Sequence, residues 1–143
     1  MTDFPIQRNA KQDVVVTRFL GAESRPTWSD VTSAGTFRIE PNGNFDRHFH
    51  DCDEYWLVFE GRAVVLVGDE TFVVGAGDII CTPTGIEHDI LAVAEPLKAF
   101  WFEGATPPGG RIGHLHHSDE AAAGHHVPHV SDLENYNTNG AER

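Results

Sequence analysis

Two stretches decide the fold of this chain: Arg47-His48-Phe49-His50-Asp51-Cys52-Asp53-Glu54 and Gly77-Asp78-Ile79-Ile80-Cys81-Thr82-Pro83-Thr84-Gly85-Ile86-Glu87-His88. His48 and His50 are two residues apart, so on an extended strand both rings point to one face. Glu54 lies four residues further on and keeps that parity. His88 stands behind a Pro-x-Gly turn, and a second segment must fold back to bring it in. Three imidazoles and one carboxylate are borderline donors that suit Fe(II), Mn(II), Ni(II), Co(II) or Zn(II). Side chains of this kind have no cheap alternative inside an apolar barrel. His48, His50, Glu54 and His88 are therefore expected to hold one divalent transition ion.

Outward from these stretches the chain reads as short strands between dense turns. Strands are expected over 13–19, 36–40, 44–50, 54–60, 62–67, 71–74, 78–82, 88–92 and 97–103. Turn signals separate them at Pro41-Asn42-Gly43, Glu60-Gly61, Gly68-Asp69-Glu70, Gly75-Ala76-Gly77 and Pro83-Thr84-Gly85. Many β-branched and aromatic strands with almost no helical periodicity indicate an all-β sandwich or jelly roll. Residues 1–12 read as an irregular N-terminal arm, 13–104 as the barrel domain and 105–143 as a linker, a short helix and a histidine-rich tail. Ser118 is placed to cap a helix over 119–123, with acidic residues in its first turn and Gly124 ending it. The tail carries His114, His116, His117, His125, His126 and His129. They read as a second metal site, as a plain polar tail, or as a lid over the barrel mouth bearing an acid or base.

The residues also carry a family resemblance. Gly43-Asn44-Phe45-Asp46-Arg47-His48-Phe49-His50 with Glu54 and Gly61 resembles the first cupin motif, and Gly77 through His88 resembles the second. The similar core runs from about Gly35 to Glu103. Two departures stand out. Four residues rather than five separate Gly43 from His48, and the Asn that often closes the second motif is Ala92 here. The resemblance implies a double-stranded β-helix barrel, the jelly roll of the cupins, with the four residues above as its metal ligands. It also implies a homodimer paired through the outer sheet and the N-terminal arm, with which Phe4, Ile6, Val14 and Val16 are compatible. A monomer core explains the valines equally well.

Composition narrows the partners. The chain has 143 residues and a net charge of −12, from 10 basic and 22 acidic residues. Nucleic acid requires clustered Lys and Arg, so it is not expected as a partner. A neutral or singly charged small molecule fits better than a multiply phosphorylated one. No leading apolar segment and no stretch long enough for a bilayer are read, so no membrane partner and a cytoplasmic location are expected. Cys52 and Cys81 read as a reduced pair, and Cys52, lying between two ligands, reads as a small residue on the far side of the sheet or as a soft extra ligand or oxidation site.

Four ligands from a rigid barrel leave two adjacent positions of an octahedral ion for a hydroxy-ketone, a keto acid or an enol. Metal-assisted proton transfer or isomerisation on a small sugar-like or keto-acid-like metabolite is the leading reading. An Fe(II) dioxygenase, a polyketide-cyclase-type cupin and a non-catalytic ligand-binding cupin are the alternatives. Trp56 shares parity with Glu54, and Ile90 and Ala92 share it with His88, so all three are expected to face the metal. Phe100 and Phe102 share one face of the last strand, with Trp101 on the other. These five residues form the expected substrate wall, and simple barrel core is the competing reading for them. Glu40, Glu103 and the tail histidines are candidate general bases.

Overall fold

The structure, a computed structural model, describes residues 6–136, so Phe4 lies outside the described residues. The strands are β1 Gln7–Asn9, β2 Val14–Val16, β3 Ser33–Ile39, β4 Asn44–Phe45, β5 Glu54–Val67, β6 Glu70–Gly75, β7 Ile79–Thr82, β8 His88–Glu103 and β9 His125–His126. Helix α1 spans Asp119–Ala123, and a 3-10 turn covers Leu133–Asn135. The main sheet runs β3-β8-β5-β6, with β7 also paired to β5. The result is an all-β jelly roll, the double-stranded β-helix arrangement.

Two long strands replace four expected short ones. β5 continues through Gly61, where a turn was expected, and β8 continues through Pro96. They pair antiparallel along their whole length, from Glu54↔Glu103 to Val67↔His88. Register shifts between Val58 and Ala63, and again between Val64 and Val65, bend this ribbon. Extra residues in one strand of a pair bend and twist it, which lets one ribbon serve both layers of the fold. Accordingly the first part of β5 pairs β7 (Glu54↔Thr82 to Leu57↔Ile79) and the second part pairs β6 (Arg62↔Gly75 to Val67↔Glu70). Gly61 is a bulge residue rather than a turn, with φ +93°.

The bulges also reset which side chains point inward. Along β5, Glu54, Trp56 and Val58 are buried before the bend, and Ala63 and Val65 join the same core after it. Along β8 the inward set passes from His88 and Ile90 to Leu97, Ala99 and Trp101. Inward positions are thus even-numbered at the start of each strand and odd-numbered at its end.

The N-terminal arm is not wholly irregular, since β1 pairs β2 from Gln7↔Val16 to Asn9↔Val14. The expected strand over 13–19 is confined to Val14–Val16. Strand β4 is likewise shorter than expected and ends at Phe45, beyond which His48 and Phe49 make single bridges to His88 and Leu115. Downstream, α1 forms as read: the Ala121 N–H donates to Ser118 Oγ at 3.1 Å, and Gly124 ends the helix at φ +78°. The C-terminal segment does not stand apart from the barrel. β9 pairs β4 (Asn44↔His126, Phe45↔His125), and Val127 and Leu133 are fully buried. Leu133 packs on Val64 and Ala92, outside the main core. No helix among the described residues is long and apolar enough to cross a membrane.

Candidate metal centre

His48 and His50 come from the segment after β4, Glu54 opens β5 and His88 opens β8. All four are buried, and donor atoms from the four lie within 4.8 Å of one another. His48 Nε2 and His88 Nε2 are 2.8 Å apart, His88 Nε2 is 3.1 Å from Glu54 Oε1, and His50 Nε2 is 3.3 Å from Glu54 Oε2. An octahedral ion with bonds of about 2.1 Å sets neighbouring donors about 3 Å apart, so these edges fit one ion. The chemistry of the donors agrees. Two basic ring nitrogens facing each other across 2.8 Å require a proton or a cation between them, and buried His50 Nε2 has no hydrogen-bond partner among the described residues.

The far sides of two rings are held for this task. His48 Nδ1 donates to the Asp46 backbone carbonyl at 2.6 Å, and His50 Nδ1 donates to the Gly113 carbonyl at 2.9 Å. Each bond fixes the tautomer that leaves Nε2 as the free donor toward an ion. Trp56 Nε1 donates to Glu54 Oε1 at 2.8 Å and locks the carboxylate.

The electrostatics follow from burial and crowding. Burial, with the neighbouring His88 and His114, lowers the pKa of His48 to about 3, so it stays neutral. Burial would raise that of Glu54, but the adjoining His50 and His88 rings outweigh it and hold the carboxylate well below its ordinary range. His50 is shifted the other way: burial opposes its protonation, and Glu54 and Glu103 more than compensate. Glu103, pushed up by burial and by its hydrogen bond to Glu54, reaches about 7. Its Oε1 lies 3.6 Å from His50 Nε2.

A cavity of about 620 Å³ opens beside the cluster. Its walls include Phe37, Ile39, Phe45, Trp56 and Trp101, with His48, His50, Glu54 and Glu103 among its polar groups. Arg25 and Arg111 also border it, both exposed. Of the residues expected in the substrate wall, Trp56 lies in it. Ile90 is buried in the same core cluster as Trp56, not on the cavity surface. Ala92 lies under Leu133 on the outer face, because the bulge after Ile90 reverses its side. Phe100 and Phe102 also point outward, where Phe100 meets Phe59 at 5.4 Å between ring centres. Their places inside are taken by Trp101 and Glu103. Cys52 was expected on the far side of the sheet, but it lies in a bend, where strand alternation does not apply, and lines the cavity. Its thiol is raised to about 11 by burial and nearby carboxylates; both cysteines are free, and Cys81 is exposed.

Sequence reasoning also missed the far-side partners. Asp46 Oδ2 gathers His116 Nε2 at 2.7 Å, His114 Nδ1 at 2.9 Å and His48 Nδ1 at 3.3 Å. Asp89, buried beside His88, receives His125 Nε2 at 2.6 Å and Arg47 Nε at 3.3 Å. The other tail histidines are spread out. His117 stacks on Phe49, His126 meets the Asn42 carbonyl at 3.2 Å, and His129 meets that of Ala94 at 3.2 Å. The Asp46 carboxylate sits two residues from His48, which was the available signal.

Comparison with known proteins agrees with this geometry. Residues 35–103 match the Cupin domain family. An uncharacterized protein of Sinorhizobium fredii is 43% identical over 72 residues, 50% of this chain and 33% of that protein. An uncharacterized protein of Streptomyces coelicolor is 30% identical over 66 residues, 46% of this chain and 63% of that protein. The matches thus span a third of the first relative and under two thirds of the second. Among solved structures, a formate complex of Lactobacillus farciminis oxalate decarboxylase matches with TM-score 0.53 and 25% identity, over 62% of this chain and 28% of that one. A DMSP lyase from Ruegeria pomeroyi matches in fold with TM-score 0.55 and 22% identity, over 77% of this chain and 55% of that one. With its two motifs folded around one buried His/Glu cluster, the segment 35–103 is a cupin domain.

Proposed function

We propose that this chain is a metal-dependent enzyme that moves a proton on a small, keto-acid-like metabolite. The observation that carries the reading is the convergence of His48, His50, Glu54 and His88 beside a largely apolar cavity of about 620 Å³. A divalent ion held by those four would supply Lewis acidity toward oxygens next to an acidic C–H or O–H. The chain's own residues do the rest. Phe37, Phe45, Trp56 and Trp101 pack against the carbon skeleton and exclude water. Glu103 offers a carboxyl beside the cluster for a substrate hydroxyl. Arg25 and Arg111 border the same cavity in a chain of net charge −12, which favours a carboxylate over a neutral sugar. The likeness to an oxalate decarboxylase solved with formate supports the same choice.

The test loads tag-free protein separately with zinc, manganese, cobalt, nickel and iron and offers keto acids and hydroxy-ketones in D₂O. Exchange or migration of a carbon-bound proton in the NMR spectrum, without oxygen uptake, is expected. Stoichiometric oxygen consumption would replace this reading with a dioxygenase. A ligand that binds and leaves unchanged would replace it with a binding module. Substituting Arg25 and Arg111 by Gln is expected to raise KM for carboxylates while sparing neutral analogues.

A second copy of the chain is proposed as the partner, seated on the outer face of the sheet. There Tyr55, Leu57, Phe59, Ile79 and Phe100 are each at least 38% exposed, on three adjoining strands. Exposed apolar patches of this kind mark association surfaces. Light scattering should give a dimer mass, and Phe59→Asp should give a monomer. Two free cysteines suit a cytoplasmic location, which is proposed on that ground.

A further inference from the structure

Resting on the metal reading, we propose that the segment Arg111–His117 is the outer half of the metal centre, a strap fastened by the Asp46 carboxylate. In this role Asp46 and His116 are positioning residues that set how tightly, and for how long, the ion is held.

The strap runs along the ligand-bearing segment rung by rung. The Arg111 N–H donates to Asp51 Oδ2 at 2.7 Å, and the Gly113 carbonyl accepts from His50 Nδ1 at 2.9 Å. Phe49 and Leu115 exchange two backbone hydrogen bonds, of 2.9 and 3.0 Å. His114 lies flat on His48, with ring centres 3.6 Å apart and planes within 6°. His117 stacks on Phe49 at 4.4 Å and 17°. At the end of this ladder Asp46 Oδ2 takes His114 and His116 at 2.9 and 2.7 Å.

Two of these contacts act directly on ligands, the Gly113 carbonyl on His50 and the His114 ring on His48. A ligating imidazole stays aimed only while its other nitrogen is held, and for His50 the holding group is a strap carbonyl 63 residues away. For His48 the holding group is the Asp46 backbone, while the Asp46 side chain pins the ring that covers it. Without the strap, His50 Nδ1 loses its acceptor and the exposed side of His48 loses its cover. The barrel therefore supplies the four donors, and the strap determines how firmly two of them are aimed.

The experiment uses full-length, tag-free protein with Co(II) and Zn(II) as probes. Asp46→Asn and His116→Gln are compared with His129→Gln, a control in the same C-terminal segment whose ring contacts the Ala94 carbonyl instead. Affinity comes from competition with a chromophoric chelator, release rate from transfer to excess chelator, and ligand geometry from the visible Co(II) spectrum. Loss of an outer partner of a ligating histidine typically weakens binding 10–100-fold. Both variants leave the two direct partners, the Asp46 and Gly113 carbonyls, in place and act by loosening the strap, so a smaller loss, several-fold to about 10-fold, is expected in Asp46→Asn and His116→Gln, expressed mainly as faster release, with an altered Co(II) band. His129→Gln should behave as wild type. Should Asp46→Asn fail to fold, His116→Gln carries the test alone. The strap is overturned if both variants bind within twofold of wild type with an unchanged spectrum, or if His129→Gln loosens the ion equally. Wild-type protein that takes up no ion would instead remove the metal reading beneath it.

Discussion

Replacing Gly61 by Ala tests the bent-ribbon account of the fold, and Gly77 provides an internal control. Both residues have strongly positive φ, +93° and +96°. A β-carbon at either position meets the same backbone penalty, roughly 1–2 kcal/mol. Their surroundings differ. A β-carbon on Gly77 meets nothing within 4 Å, whereas one on Gly61 overlaps the Pro96 carbonyl oxygen and lies 2.8 Å from Leu97 Cα. Those are backbone atoms of β8, so relief requires moving that strand at the bulge, which overpacking data put at roughly 1–3 kcal/mol more. Gly77→Ala should therefore cost about 1–2 kcal/mol and Gly61→Ala about 2–5 kcal/mol. Urea unfolding of the metal-free proteins measures both. With a slope of about 2 kcal/mol per molar, the midpoint should fall by roughly 0.5–1 M for Gly77→Ala and roughly 1–2.5 M for Gly61→Ala. Equal midpoints would mean that Gly61 sits in a solvent-exposed turn, which carries the conformational penalty alone, and not in a packed bulge against β8.

Further outcomes test how the C-terminal segment and the cluster are held. Leu133→Ala removes a fully buried side chain packed on Val64 and Ala92 and should cost about 2–5 kcal/mol in thermal or urea unfolding. Trp56→Phe leaves Glu54 Oε1 without its 2.8 Å donor and should lower metal-free stability by about 1.5–3 kcal/mol while weakening Co(II) binding, read by the same melts and by chelator competition. His125 has a raised pKa: burial opposes protonation, but the Asp89 carboxylate prevails over burial and over the repulsion of Arg47. Its folded pKa thus exceeds the unfolded value of about 6.5, so its stabilisation is complete below that value and fades as pH rises through the folded one. The melting-temperature gap between wild type and His125→Gln should be wide at about pH 5.5 and narrow at about pH 8.5.

The four converging side chains were legible from the His48-x-His50-x3-Glu54 spacing and from the turn signal before His88, although a bend at Asp51-Cys52 interrupts the strand alternation between His50 and Glu54. The same alternation misled wherever a bulge intervened. From His88 to Leu97 the inward set changes from even to odd numbers, so Ala92, Phe100 and Phe102 turn outward and Trp101 and Glu103 turn in. Nothing local in the sequence announces those register shifts, since they arise from pairing two strands whose partners differ along their length. Gly61 resembled a turn because glycine at positive φ serves turns and bulges alike. The Asp46–His114–His116 contacts were hidden for another reason: they join residues 68 and 70 positions apart. Local patterns place Ser118 and Gly124 at the ends of a helix, but do not tell where the segment returns.

The most direct test of the account is metal content by elemental analysis of tag-free protein, alongside His50→Ala. About one divalent transition ion per chain is expected in the wild type, after reloading if necessary, and its loss in the variant. Wild-type protein that binds none of iron, manganese, cobalt, nickel or zinc, or a His50→Ala protein with unchanged metal content, would contradict it.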